Sequence, residues 1–195
     1  MPDTGAPHFI PFADPTDLVR DWPALSEDVA EQVAVGLDAA GSAGIGSNVV
    51  QAVKTDTFSW NVNGLQDVPD LSASITPSSN TSKILCLVHL NFGVNQTGDN
   101  WTAGATLFRG ATALYVGSTT PNPLTIGWTN NSPGNRANST GVAMFLDSPA
   151  TDAATTYKIS VQRFQSATFF INRRGDDSSV SWRVPSSLTL IEVAA

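Results

Sequence analysis

The chain has 195 residues, 41% of them hydrophobic and 14% charged, with a net charge of −7 and a single cysteine. A chain of this length buries roughly 70% of its unfolded surface, so it needs no disulfide or metal to fold. The acidic balance argues against nucleic-acid binding, which wants the opposite sign, and no apolar stretch approaches the roughly 18 residues of a membrane span.

The charge is unevenly placed. Residues 1–48 hold eight acidic side chains against Arg20 alone, whereas residues 49–195 carry nine of each sign. Pro2, Pro7, Pro11, Pro15 and Pro23 punctuate the first 24 residues, and proline at this density blocks both helix and ladder pairing. Phe9, Ile10, Phe12, Leu18, Val19 and Trp22 are interleaved with them. A disordered tail usually lacks such residues, so this reads as an extended arm ordered by another surface. Phe9, Phe12, Leu18, Val19 and Trp22 are its candidate attachment residues. The start, Met1-Pro2-Asp3-Thr4-Gly5, has no basic stretch followed by an apolar core and is not read as a secretory signal.

Residues 25–40 are the one predicted helix. Ser26 suits the N-cap, and Glu27, Asp28 and Glu31 occupy the first turn, where the helix dipole favours negative charge. Leu25, Val29, Val33 and Leu37 recur every four residues and form one apolar stripe. A helix of about 24 Å is marginal alone in water, so the stripe is expected to meet a partner and is the candidate oligomer contact. Gly41 stops the helix, and residues 41–48 read as a Gly/Ser hinge. The predicted division is 1–48, arm, helix and hinge, and 49–195, one β domain.

Beyond the hinge, short β-branched and aromatic runs alternate with Gly, Pro, Asn and Asp. The predicted strands are Asn48–Lys54, Phe58–Val62, Ser72–Ile75, Lys83–Phe92, Thr102–Arg109, Ala111–Val116, Val142–Asp147, Thr156–Arg163, Ala167–Asn172 and Ser186–Val193. Arg109-Gly110-Ala111 reads as a tight reversal and Gly175-Asp176-Asp177 as a turn. About ten short strands with turn-rich joints predict an antiparallel β-sandwich, jelly-roll-like. Thr119–Thr140, rich in Asn, Thr, Pro and Gly, reads as one long loop or hairpin, the kind of segment where binding tends to sit.

Catalytic constellations are missing from the sequence. His8 and His89 are the only histidines, too few for a His-rich metal site. No phosphate loop, CxxC pair, HExxH or GxSxG occurs. Cys86 lies in the apolar run Ile84-Leu85-Cys86-Leu87-Val88 and reads as a buried small hydrophobe. His89, three residues along a strand, points to the opposite face. The expectation is therefore no catalytic residue, no metal, no cofactor and no enzyme. Trp101 and Trp128 stand among Gly, Asn, Asp and Thr. They read first as aromatics that pack on loops or close a subunit interface, and second as candidate glycan platforms.

Several segments, in order, carry a resemblance. They are the arm Pro15-Thr16-Asp17-Leu18-Val19-Arg20-Asp21-Trp22-Pro23-Ala24-Leu25-Ser26-Glu27-Asp28-Val29-Ala30 and the entry Val49-Val50-Gln51. They continue with Leu71–Leu85, Phe108-Arg109-Gly110 and the closing run Ser187-Leu188-Thr189-Leu190-Ile191-Glu192-Val193. Together they resemble a family of tailed-bacteriophage virion proteins, minor tail or tail-fibre-like. The resemblance implies a structural virion protein, commonly a homotrimer, joined to other virion proteins through residues 1–40 and projecting its β domain toward the host. It implies no active site and leaves open a capsid or neck decoration protein or a host-glycan-binding module.

Overall fold

The computed structural model describes residues 30–33, 45–96, 101–117, 126–130, 138–163, 166–177 and 182–194. The chain divides into two units, Met1–Ile45 and Gly46–Ala195. Of the first, residues 30–33 are helical, inside the predicted helix; the rest of that helix and the arm lie outside the described residues.

The second unit is an antiparallel β-sandwich, as the alternation of apolar and polar residues predicts. Its strands are β1 (Ile45–Lys54), β2 (Phe58–Trp60), β3 (Gln66–Ile75), β4 (Lys83–Val94), β5 (Trp101–Arg109), β6 (Thr112–Leu114), β7 (Ile126–Asn130), β8 (Ser139–Asp147), β9 (Thr155–Arg163), β10 (Phe169–Ile171) and β11 (Ser186–Val193). Two expectations are corrected. Residues 45–47, read as hinge from their Gly and Ser content, belong to β1, which begins three residues before the predicted strand Asn48–Lys54. β7, a strand not on the predicted list, runs through the segment read as one long loop or hairpin, because pairing to β5 between Ala105 and Ile126 and between Trp101 and Asn130 overrides its poor strand composition.

One sheet has six strands in the order β1-β11-β4-β10-β2, with β8 also on β4; the other has five, β3-β9-β5-β6, with β7 also on β5. β4 organises the first. β11 and β8 both pair with its residues 84–89, so they flank it on opposite sides. β10 continues along the β11 side, since Phe92 faces Ser139 of β8 and Ile171 of β10.

The core lies between the sheets. Ile84, Cys86, Val88, Leu90 and Phe92 point inward from β4, with Leu188 and Leu190 from β11. Leu71, Ala73 and Ile75 of β3, Ala103, Ala105 and Leu107 of β5, and Tyr157, Ile159 and Val161 of β9 meet them from the other sheet. Each is one residue in two along its strand, as the pleat requires. Burial pushes the Cys86 thiol up to about 12, so the side chain is the small hydrophobe that its sequence setting suggests, and His89 lies on the opposite face of β4.

A polar lock ties the sheets at one end. Asp147 of β8 accepts the Tyr157 hydroxyl of β9 at 2.7 Å and the Arg109 guanidinium of β5 at 2.8 and 2.9 Å. Burial, and then the bond to Asp147, push the Tyr157 phenol far up. Glu192, the one carboxylate on the inner side of β11, accepts the Ser78 N–H at 2.7 Å and the Ser78 hydroxyl at 2.5 Å. Burial would raise its pKa, but these hydrogen bonds outweigh it and the carboxyl sits below its usual value.

Candidate assembly face

The two outer faces of the sandwich differ in kind. On the five-stranded sheet the outer face is polar. Ser74 and Thr156 share a hydrogen bond at 2.7 Å, Lys158 pairs with Asp67 at 2.7 Å, and the Ser160 hydroxyl donates to Asp67 at 2.6 Å. The Lys158 and Ser160 bonds hold the Asp67 carboxyl below its usual range. Polar residues alternate with core residues here; Ser74 and Thr156 are exposed, whereas Ser160 and Thr106 at the centre of the face are buried, and Lys158 lies over the half-buried Phe108 ring.

On the six-stranded sheet the outer face is aliphatic. β8 presents Val142 (70% exposed), Met144 (66%) and Leu146 (45%) at alternate positions. The register sets them beside His89, Leu87 and Leu85 of β4. Those in turn face Ser187, Thr189 and Ile191 of β11, and Lys83 at the rim faces Val193. Leu85, Leu87, Ile191 and Val193 are half-buried. On β1, Val49 (54% exposed) and Val53 (48%) extend the face, with Gln51 between them donating to the Thr189 hydroxyl at 2.8 Å. One end is closed by Asn91, which donates to the Pro185 carbonyl at 2.7 Å and accepts the Thr140 hydroxyl at 2.8 Å.

Four neighbouring strands therefore carry aliphatic side chains on the side turned away from the core. Scattered single hydrophobes on a surface need no explanation, but a contiguous patch of this kind marks an interaction site. Burying a Val, Leu or Met fully is worth about 1.5–3 kcal/mol relative to leaving it exposed. The three β8 residues alone thus hold back a few kcal/mol that closure of the face would release. The signal for it was present in the sequence. An unbroken run such as Ile84-Leu85-Cys86-Leu87-Val88 is what a strand covered on both faces looks like, and Met144-Phe145-Leu146 repeats the pattern on β8.

The residues singled out from sequence fall elsewhere. Phe9, Phe12, Leu18, Val19, Trp22, Leu25, Val29 and Leu37 lie outside the described residues. Val33 is on the helical segment, 45% exposed. Trp101 and Trp128 are strand positions, opposite Asn130 and the buried Ala103 respectively. Among the described residues no group of three or more His, Cys, Asp and Glu side chains could hold a metal ion, and no helix is long and apolar enough to cross a membrane.

Comparison with protein-family models gives no match, and comparison with curated proteins gives none. Among solved structures, the chain is similar to a chain of the infectious bursal disease virus Gx strain, with 15% sequence identity and a TM-score of 0.35. That similarity covers 77% of this chain but 39% of the viral chain, so this chain matches well under half of the other's length.

Proposed function

We propose that the chain is a structural virion protein of a tailed bacteriophage, of the tail-fibre or minor tail kind. In this reading it is a homotrimer closed through the outer face of the six-stranded sheet, and residues 1–40 fasten it to other virion proteins. The observation that carries the reading is the aliphatic face itself, with Val142, Met144 and Leu146 in water on an otherwise well-buried sheet. Copies of the same chain are its occupant. The face holds one cation, Lys83, at its rim, with His89 inside, so copies can meet on it without burying a row of like charges. The number three comes from the sequence resemblance, as does the virion setting.

The arm is the second part of the proposal. Phe9, Phe12, Leu18, Val19 and Trp22 supply apolar anchors between prolines, within a segment whose charge is strongly negative. A basic, grooved surface on a neighbouring virion protein suits both features. Deletion of residues 1–40, which also removes the Leu25, Val29, Val33 and Leu37 stripe, is expected to leave a folded β domain that no longer enters particles, read by immunoblotting of purified virions. Normal incorporation of the truncated chain would remove the attachment role.

A further inference from the structure

The aliphatic face of the six-stranded sheet carries one imidazole. β4 places His89 on it, half-buried in a single chain. Strand register sets Val142 of β8 on one side of His89 and Ser187 of β11 on the other. Along β4 the same face holds Leu87 before it and Asn91 after it. The Asn91 side chain is already taken up by the Pro185 carbonyl and the Thr140 hydroxyl. None of these neighbours is a carboxylate.

The wider face supplies none either. The outward positions of β8, β11 and β1 carry aliphatic, hydroxyl or amide side chains throughout. Lys83 lies six residues along β4 from His89, about 20 Å at the rise of a strand. In the other direction, beyond Asn91, the Arg173 guanidinium lies over the Phe170 ring of β10, which pairs with Gly93. Gly93 is four residues from His89, about 13 Å along the strand. The carboxylate at that end, Asp177, gives one oxygen to Arg173 and the other to Arg183.

We infer that protonation of His89 takes the assembly apart in mild acid, so that the face acts as a pH switch. The inference rests on the self-assembly proposed for the same face. Copies that meet there bring more of the same side chains, and so no carboxylate to pair with an imidazolium. Closure also removes the ring from water, which disfavours its charged form. The neutral ring is compatible with closure and the charged ring is not, so association is strongest at neutral pH and above and weakens as pH falls. Imidazoles ordinarily titrate between about pH 8 and pH 5. Each proton that closure excludes weakens association by up to about tenfold per pH unit, and three chains exclude three. The sandwich keeps its ion pairs over this range: Lys54 holds the Asp56 carboxyl, and Lys158 the Asp67 carboxyl, below the ordinary carboxylate range.

The test is light scattering of the full-length protein at about pH 7.5 and about pH 5.5, on either side of histidine titration. His89→Phe and His89→Gln are measured beside the wild type, and circular dichroism at both values follows the fold. Phe keeps a flat ring and Gln a neutral polar group, and neither takes up a proton. The wild type is expected to give three chains at the higher pH and folded single chains at the lower. Its association constant should fall by about a hundredfold or more and recover on neutralisation. Both variants should keep the same mass at both values. A wild type that stays assembled in acid, or variants that dissociate with it, would overturn the switch and leave self-assembly standing. A wild type that is a single chain already at the higher pH would remove self-assembly and the switch with it.

Discussion

Met144→Asp is expected to convert the assembled protein into single chains. Met144 lies midway along β8, opposite Leu87 and between Val142 and Leu146 on the same face. In an isolated chain its side chain is 66% exposed, so an aspartate there stays hydrated and costs the fold little, within about 0.5 kcal/mol. In the assembly each copy would carry a carboxylate into an aliphatic interface, where the penalty per ion is several kcal/mol. Each 1.4 kcal/mol is about tenfold in affinity, so the association constant should fall by about a thousandfold or more. Light scattering should give three chains for the wild type and one chain of 20.5 kDa for the variant, with nearly equal melting of the β domain after dissociation. Ser72→Asp, on the polar outer face of the other sheet, is the control and should remain assembled. A variant that keeps the wild-type mass would place the interface elsewhere.

Asp147→Ala should be the most damaging substitution of a polar residue for the fold. It removes the acceptor shared by the Tyr157 hydroxyl and the Arg109 guanidinium, one from each of two strands in the opposite sheet. Tyr157 is fully buried, so its hydroxyl would be left without a partner. Leaving that hydroxyl unpaired costs about 1–3 kcal/mol, and loss of the ion pair to the partly exposed Arg109 adds to it, which for a domain of this size lowers the melting temperature by roughly 5–10 °C. Tyr157→Phe alone should cost less, about 1–2 kcal/mol, because Asp147 keeps Arg109. Combined with Asp147→Ala it should cost little more, since the two act through one contact. Thermal melts followed by circular dichroism give all three values. A single Asp147→Ala variant as stable as the wild type would show that the lock is not holding the sheets together.

The strand plan was legible because most strands bury one face and so alternate. β4, β9 and β11 begin or end within a few residues of their predicted bounds. β7 was not legible: Pro121, Pro123, Gly127 and the surrounding Asn and Thr residues make turn-like composition, and only its pairing with β5 reveals it. Ile45 to Ser47 misled in the same way, since Gly and Ser read as linker when no partner strand is known.

The assembly face was half legible. The run from Ile84 to Val88 was informative about Cys86 and equally about Leu85 and Leu87, but which neighbours they meet depends on the register of β8 and β11. The Asp147 lock and the seating of the turn after β10 were not legible at all. Arg109, Asp147 and Tyr157 come together across two sheets, and no local pattern announces the seating of Gly175 on Val94.

The exposure of Met144 in the native protein tests the central claim most directly. Hydroxyl-radical footprinting of the full-length protein at micromolar concentration, read by mass spectrometry on the peptide that contains Met144, measures it in place. Burial between copies predicts that Met144 is protected, although a single chain leaves two-thirds of it in water, and that Leu85 and Leu87 are protected with it. Oxidation of Met144 as fast as that of a solvent-exposed methionine would contradict the account.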